Sequence, residues 1–239
     1  IYTDVDGIYT TDPRRVPQAR RLSHISFEEM LELASLGAGV MHGRSIEIGM
    51  KFNVPIHVRS SFTDNPGTLI MRNPPGMEDV VVTGATLKPE VGRVTFTALP
   101  NAPGTAAEIF AELGARRVLV DDIIQNVSQD GATVTLAFTI VGQEVGEARA
   151  VAELAAQRFG ARAHLDEDLA RVSVVGVGMR SQSGVAGTMF RALAAAGINI
   201  ENISTSEIVI SVLVKRADGE RALQAVHQAF ELDRPPGNP

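Results

Sequence analysis

Residues 2–14 gather the side chains with the most chemical capacity: Tyr2, Thr3, Asp4, Asp6, Tyr9, Thr10, Thr11, Asp12, Pro13 and Arg14, set around one glycine, Gly7. Aromatic rings can stack on a base. Hydroxyls and carboxylates can hold a ribose or a metal, and an arginine can pair with phosphate. The group therefore reads as a loop able to hold a nucleotide. A plainer reading uses the same residues, with Asp4, Asp6 and Asp12 capping turns in an Asp-Gly-rich loop. Residue type alone leaves both open.

Composition narrows the partners. A chain of 239 residues, 44% hydrophobic, can bury more than one core, and 21% charged residues lie in the globular range. The net charge of −6 comes without any basic run, which argues against nucleic acid or an anionic membrane as the main partner. Without cysteine there are no disulfides, thiolate chemistry or cysteine zinc sites. His24, His42, His57, His164 and His227 are scattered, with no pair at metal-ligand spacing, so no metal site is expected. No apolar run approaches the roughly 20 residues that span a bilayer, and no charged-then-apolar leader follows Ile1. A cytoplasmic location is the expectation.

The elements that must position the loop follow by pattern. Ser26-Phe27-Glu28-Glu29 has the form of a capping box, with Ser26 as cap and Glu29 reaching back. Phe27, Met30, Leu31, Ala34 and Leu36 then recur at helical spacing, with Gly37 as the stop. A second helix is expected over 45–52, and 54–59 alternates like a strand. Met71 to Gly76, with two prolines and a glycine, is the clearest linker, and Val80–Ala85 reads as a short β-type run.

Beyond it lies an internal repeat. Val94, Gly104, Ala106, Phe110, Leu113, Val120, Asp121 and Ile123 match Val174, Gly184, Ala186, Phe190, Leu193, Ile200, Glu201 and Ile203, each pair 80 positions apart with no gap. The first copy predicts β 93–98, α 103–113, β 118–127, β 133–140 and α 145–159. The second predicts β 171–177, α 184–196, β 200–206, β 208–214 and α 219–230. This is the β-α-β-β-α-β order of a ferredoxin-like module. Its open strand edges lead to an expectation of pairing between copies or chains.

The glycine at the first strand-to-helix turn of each copy makes these modules similar to the ACT domain, a small-molecule sensor. The opening loop resembles the nucleotide-side loop of the aspartokinases, within the amino-acid kinase family. Phe27-Glu28-Glu29-Met30-Leu31-Glu32-Leu33, Val58-Arg59-Ser60-Ser61, Pro66-Gly67-Thr68, Gln125-Asn126-Val127-Ser128 and Ser204-Thr205-Ser206-Glu207 resemble the same family, so the likeness covers essentially the whole chain. The resemblance implies an α/β plus α+β protein. A partial amino-acid kinase α/β/α domain would occupy 1–70 (its ATP side), a linker 71–79, ACT domains 80–165 and 166–232, and a tail 233–239.

The resemblance also implies an activity: transfer of the γ-phosphoryl of ATP, with Mg2+, to the side-chain carboxylate of L-aspartate. Thr3 and Asp4 would lie against the nucleotide, with Tyr9, Thr10, Thr11, Asp12, Pro13 and Arg14 lining its base, ribose and phosphates. The phosphate-binding lysine-glycine loop and the aspartate segment would precede Ile1, so this stretch by itself is expected not to turn over. The family usually has a lysine just after Leu36-Gly37-Ala38. Here Gly39 follows, and loss of a phosphate-facing cation would cost several kcal/mol of transition-state stabilisation. The usual proline before Arg44-Ser45 is Gly43.

For the ACT units, a helix N-terminus at a glycine turn offers bare N–H groups to an amino-acid carboxylate. Asn101, Gly104, Thr105 and Ala106 supply one such turn, and Asp121, Gln125 and Ser128 on the next strand could take the ammonium or side chain. In the second copy Val185, Ala186, Asn199, Ile200 and Ser206 hold the corresponding places. Lysine, threonine or both are the implied effectors, bound where the first ACT unit of one chain meets the second of another in a homo-oligomer. A non-catalytic regulatory subunit or amino-acid sensor is the alternative. Gly176-Val177-Gly178 lacks the third glycine of a dinucleotide fingerprint, since position 181 is serine. Met77-Glu78-Asp79 could mark an internal start. In the family a final strand returns to the first ACT unit, yet no β-rich segment follows Phe230 to form it.

Overall fold

The computed structural model describes residues 1–76 and 80–235. The chain divides into two compact units: Ile1–Lys88 with the chain from Arg171 onward, and Pro89–Ala170. The internal-start motif at 77–79 and the last four residues of the tail lie outside the described residues.

The first unit opens with a four-stranded sheet. Its order is β1 (Tyr2–Thr3), β3 (Ile56–Ser60), β4 (Thr68–Met71), β2 (His24–Ser26). β1 is parallel to β3 and β2 to β4, while β3 and β4 are antiparallel. Sequence periodicity signalled only β3, because two to four residues are too few to show alternation. Helix α1 (Phe27–Ser35) begins at the expected capping box: Ser26 Oγ accepts the Glu29 amide, and the Glu29 carboxylate accepts the Ser26 amide. Helix α2 (Gly43–Phe52) starts two residues earlier than expected, since His42 Nδ1 accepts the Arg44 amide and acts as its cap. Ile8, Ile25, Phe27, Met30, Ile46, Val58 and Ile70 form the core with Val175, Ile208 and Val209 from the second copy.

The repeat then unfolds as β5 (Gly84–Pro100), α3 (Thr105–Ala115), β6 (Val120–Val127), β7 (Thr133–Val141), α4 (Val145–Phe159) and β8 (Arg162–Val175), followed by α5 (Val185–Ala195), β9 (Asn202–Thr205), β10 (Val209–Lys215) and α6 (Gly219–Ala229). Residues 89–170 make a complete βαββαβ unit. Its core gathers Phe96, Leu99, Ile109, Leu113, Leu136, Phe138 and Val151, with the Phe110 ring 5.5 Å from that of Phe138. The 80-residue offset holds to the residue between α3 and α5. Each is preceded by a left-handed glycine, Gly104 at φ 97° and Gly184 at φ 93°.

Two details differ from expectation. The run 80–85 is not a separate short strand: β5 begins at Gly84 and continues for 17 residues. Its first residues, 84–88, belong to the unit that holds the second copy, where β5 neighbours β8 and the Thr83 amide donates to the Val175 carbonyl at 2.8 Å. The second copy thus takes a strand from earlier in the chain, beside its own β8 residues. Alternation identifies a strand but not the sheet it joins.

Candidate functional site

The loop over 2–14 is shaped from below by Thr68. Its Oγ1 accepts the Ile8 amide at 2.8 Å and donates to the Leu22 carbonyl at 2.6 Å. A Cβ on Gly7, at φ 147°, would stand 2.6 Å from that same oxygen, so only glycine lets the turn pass. The Thr10 amide to Arg20 carbonyl bond (2.9 Å) and the Leu22 amide to Ile8 carbonyl bond (2.8 Å) then pair 8–10 with 20–22.

Within this frame the expected nucleotide residues separate. Asp4, Pro13 and Arg14 are exposed, Thr3, Tyr9 and Asp12 are half-buried, and Thr10 and Thr11 are buried. Asp12 caps the 12–16 turn: its Oδ1 accepts the Arg14 amide at 2.9 Å, and its carboxylate takes both Nε and Nη2 of Arg14 at 3.0 Å. Those hydrogen bonds from Arg14 hold the Asp12 carboxyl below the usual carboxylate range. Burial alone would raise the Asp6 carboxyl, but the Tyr9 hydroxyl at 2.8 Å and the Asn65 amide at 2.7 Å outweigh it and bring it down. Asp12 thus does the turn work that the plainer reading assigns it, while Asp6 ties Tyr9 to Asn65. Thr3 Oγ1 donates to Asp4 at 3.0 Å, and the exposed Asp4 adds its charge to that of Asp12 beside Arg14. Thr10 points inward, where its hydroxyl meets the Arg20 amide and His227.

The unit over 89–170 contains a cavity of about 230 Å³ at the N-terminus of α3. Asn101, Gly104, Thr105, Ala106 and Gln125 all line it. No side chain caps α3, since its cap is glycine. Asn101 is anchored by its own amide and by Nδ2, which donate to the Ala132 and Gly131 carbonyls. Asp121 and Ser128 do not line the cavity. Ser128 is occupied by its hairpin turn, donating to Asp130 at 2.6 Å and accepting the Thr133 amide at 3.0 Å. Asp121 Oδ1 accepts the Asp122 amide.

Sequence reasoning missed Leu99, Pro100, Ala107, Val134 and Leu136 in the lining. Leu99 follows a register shift in β5 at Ala98, whose φ is 59°, and Gln125 follows one in β6 at Asp122, whose φ is 43°. Left-handed alanine leaves no composition signal. In the second copy Val185 is buried, Ala186 and Ile200 are half-buried, and Asn199 and Ser206 are exposed.

A third constellation extends the capping box with two partners that the sequence did not announce, Thr83 and Val177. Glu29 is 2% exposed, and its carboxylate accepts four hydrogen bonds. Ser26 donates Oγ (2.6 Å) and N (3.2 Å), Thr83 donates Oγ1 (2.6 Å), and Val177 donates its amide (3.1 Å). The cap of α1 is thereby joined to the segment before β5 and to the turn after β8. Next to it Arg180 pairs with Glu28 and Glu207. Gly176 and Gly178 let this turn lie against 80–82: a Cβ at either would fall 2.2 or 2.4 Å from a backbone oxygen of Val81 or Val80.

Among the described residues no group of three or more His, Asp or Glu could hold a metal, and no helix is long and apolar enough to cross a membrane.

Comparison with known proteins bears on the family. Residues 1–60 match the amino acid kinase family and residues 172–230 match the ACT domain. The chain is 48% identical over 237 residues to the aspartate kinase of Pseudomonas putida, covering 98% of this chain and 57% of that protein. It therefore spans under three fifths of the length of that relative. The regulatory subunit of aspartate kinase from Thermus thermophilus, in its ligand-free form, is 41% identical; the match covers 63% of this chain and 99% of that one, with a TM-score of 0.59. Escherichia coli aspartokinase III matches 96% of this chain and 51% of its own. It was solved with aspartate and ADP (27% identity, TM-score 0.79) and with lysine and aspartate (28%, 0.74). A kinase segment, an ACT segment and near-complete coverage of an aspartate kinase regulatory subunit meet in one polypeptide: the chain belongs to the aspartate kinase family.

Proposed function

We propose that the full-length protein of which this sequence forms part is an ATP-dependent aspartate kinase. The observation that carries this is the 48% identity to an aspartate kinase across 98% of the chain, kinase and ACT segments alike. In the reaction an oxygen of the aspartate side-chain carboxylate bonds to the γ-phosphorus of ATP as the bond to the β–γ bridging oxygen breaks, releasing ADP and giving aspartyl phosphate. Two anions must be held in line while charge spreads over the transferring group, so positioning and cations supply most of the help.

Residues 1–70 serve as the ATP side of the kinase domain. Thr3 and Asp4 lie against the nucleotide, and the 9–14 turn, pinned by the Asp12–Arg14 pair, borders base, ribose and phosphates. Mg2+ accompanies ATP on its phosphates. Residues 71–79 link this part to the ACT domains at 80–165 and 166–232, in a protein that works in the cytoplasm as a homo-oligomer. The cavity at α3 takes an amino-acid effector, lysine or threonine: its carboxylate lies on the uncapped helix N-terminus and its polar groups meet Asn101 and Gln125. Binding favours one arrangement of the ACT units and shifts the kinase between more and less active states.

The full-length protein, assayed with ATP and L-aspartate and with hydroxylamine to trap the acyl phosphate, is expected to turn over. The 239-residue chain alone is expected not to. No acyl phosphate from the full-length protein refutes the reading. Titration calorimetry of the chain with lysine and threonine tests sensing, and absence of heat with both refutes those effectors.

A second reading has its own support. Coverage of 99% of the Thermus thermophilus regulatory subunit favours a non-catalytic regulatory role for the 63% of this chain that it matches. Expression of that portion as a separate subunit in the source cells distinguishes the two.

A further inference from the structure

The segment carrying the candidate nucleotide residues is held from behind by the second βαββαβ copy, within one compact unit. Thr10 is fully buried and His227, on α6, is 3% exposed. Thr10 Oγ1 accepts the Arg20 amide at 3.1 Å and lies 3.1 Å from His227 Nε2. With one lone pair engaged by an N–H, the hydroxyl proton is free to donate to a neutral imidazole. The Thr10 carbonyl accepts the Ala85 amide of β5 at 2.7 Å. Five residues on, Arg15 pairs with Glu220 in the first turn of α6 at 2.7 Å. Another five on, Arg20 Nε donates to the Arg234 carbonyl, just past α6, at 3.0 Å. The 10–20 segment is thus fastened at its start, middle and end to one helix and the chain that follows it.

We propose that His227 is a positioning residue for nucleotide binding: through His227–Thr10 and Glu220–Arg15, helix α6 fixes where 11–14 stand. The inference rests on the kinase reading and adds that the second ACT copy is the rear wall of the nucleotide site. A loop released from this hold spreads over more conformations, and its apparent nucleotide affinity falls by the fraction still competent. Aspartate affinity has no such dependence. Movement of α6 then reaches the nucleotide through the 10–15 segment alone.

The test uses the full-length protein with His227→Leu, His227→Gln and Glu220→Ala. Readouts are KM for ATP and for aspartate, Kd for MgADP by calorimetry, and thermal unfolding. His227→Leu is expected to raise KM for ATP and Kd for MgADP about fivefold or more, with KM for aspartate within about twofold. His227→Gln, which keeps a polar partner for Thr10, is expected to recover most of the loss. Glu220→Ala, at the surface, is expected to raise the nucleotide constants about twofold to threefold at an unchanged melting temperature. A folded His227→Leu protein with wild-type nucleotide constants overturns the inference. If that variant does not fold, unchanged constants in Glu220→Ala overturn it. A wild-type protein that binds MgADP without making aspartyl phosphate refutes the kinase reading alone, and the MgADP titrations of the variants still decide the role of His227. A wild-type protein that does not bind MgADP overturns both.

Discussion

Replacing Glu29 by glutamine isolates the buried carboxylate that joins α1 to the second copy. Shape and volume are nearly unchanged, so packing drops out of the comparison. Four donors converge on the carboxylate, two on each oxygen. An amide offers one oxygen and one NH2. Each pair of donors holds one hydroxyl, Thr83 on Oε1 and Ser26 on Oε2, and a hydroxyl can rotate to accept from NH2. Each pair also holds one backbone amide, Val177 or Ser26, and an amide cannot accept. Whichever way the glutamine turns, one buried backbone N–H faces another N–H. A buried donor left unsatisfied costs about 1–3 kcal/mol, and the surviving bonds lose their charge assistance. The sum is a destabilisation of about 2–3 kcal/mol. At about 2–4 °C per kcal/mol for a unit of this size, the melting temperature should drop by about 4–12 °C. Differential scanning calorimetry of the 239-residue chain measures it. A Glu29→Gln chain melting within about 1 °C of the parent would refute the four-donor geometry.

Gly176→Ala should destabilise by about 2 kcal/mol or more, because its Cβ would meet the Val81 carbonyl oxygen at 2.2 Å and backbone cannot rotate aside. At φ 178° the cost is steric rather than conformational, and an unchanged urea midpoint would contradict it. Gly39→Lys should be neutral for stability, since nothing lies within 4 Å of a Cβ there and its φ is outside the left-handed region. If a phosphate-facing cation is what this position lacks, kcat of the full-length enzyme should rise about tenfold, and an unchanged kcat removes that role. Burial pushes the His227 imidazole below its usual 6.5, with Asp233 opposing, so protonation favours the unfolded chain. His227 therefore stabilises fully above about pH 6.5, and its contribution is lost as pH falls below that value. The dependence, read from melting temperatures between about pH 7.5 and 5.5, should flatten in His227→Gln.

The sequence by itself determined the parts that depend on neighbours along the chain. The capping box at Ser26–Glu29 was legible because both partners lie within one helical turn. The repeat was legible because equal spacing of glycine and apolar residues forces equal elements, and α3 and α5 keep that spacing. The cavity at α3 was half legible: turn chemistry announces Asn101 to Ala106, whereas Leu99 and Leu136 enter through strand register and the left-handed Ala98. Tertiary structure decided everything that turns on which distant groups meet. It placed 84–88 with the second copy, although alternation along a strand says nothing about the neighbouring strand. It turned Thr10 inward to His227, 217 positions away, and brought Thr83 and Val177 to Glu29. A buried polar group takes whatever donor the packing supplies, and its partner's identity is a property of the folded interior rather than of local order.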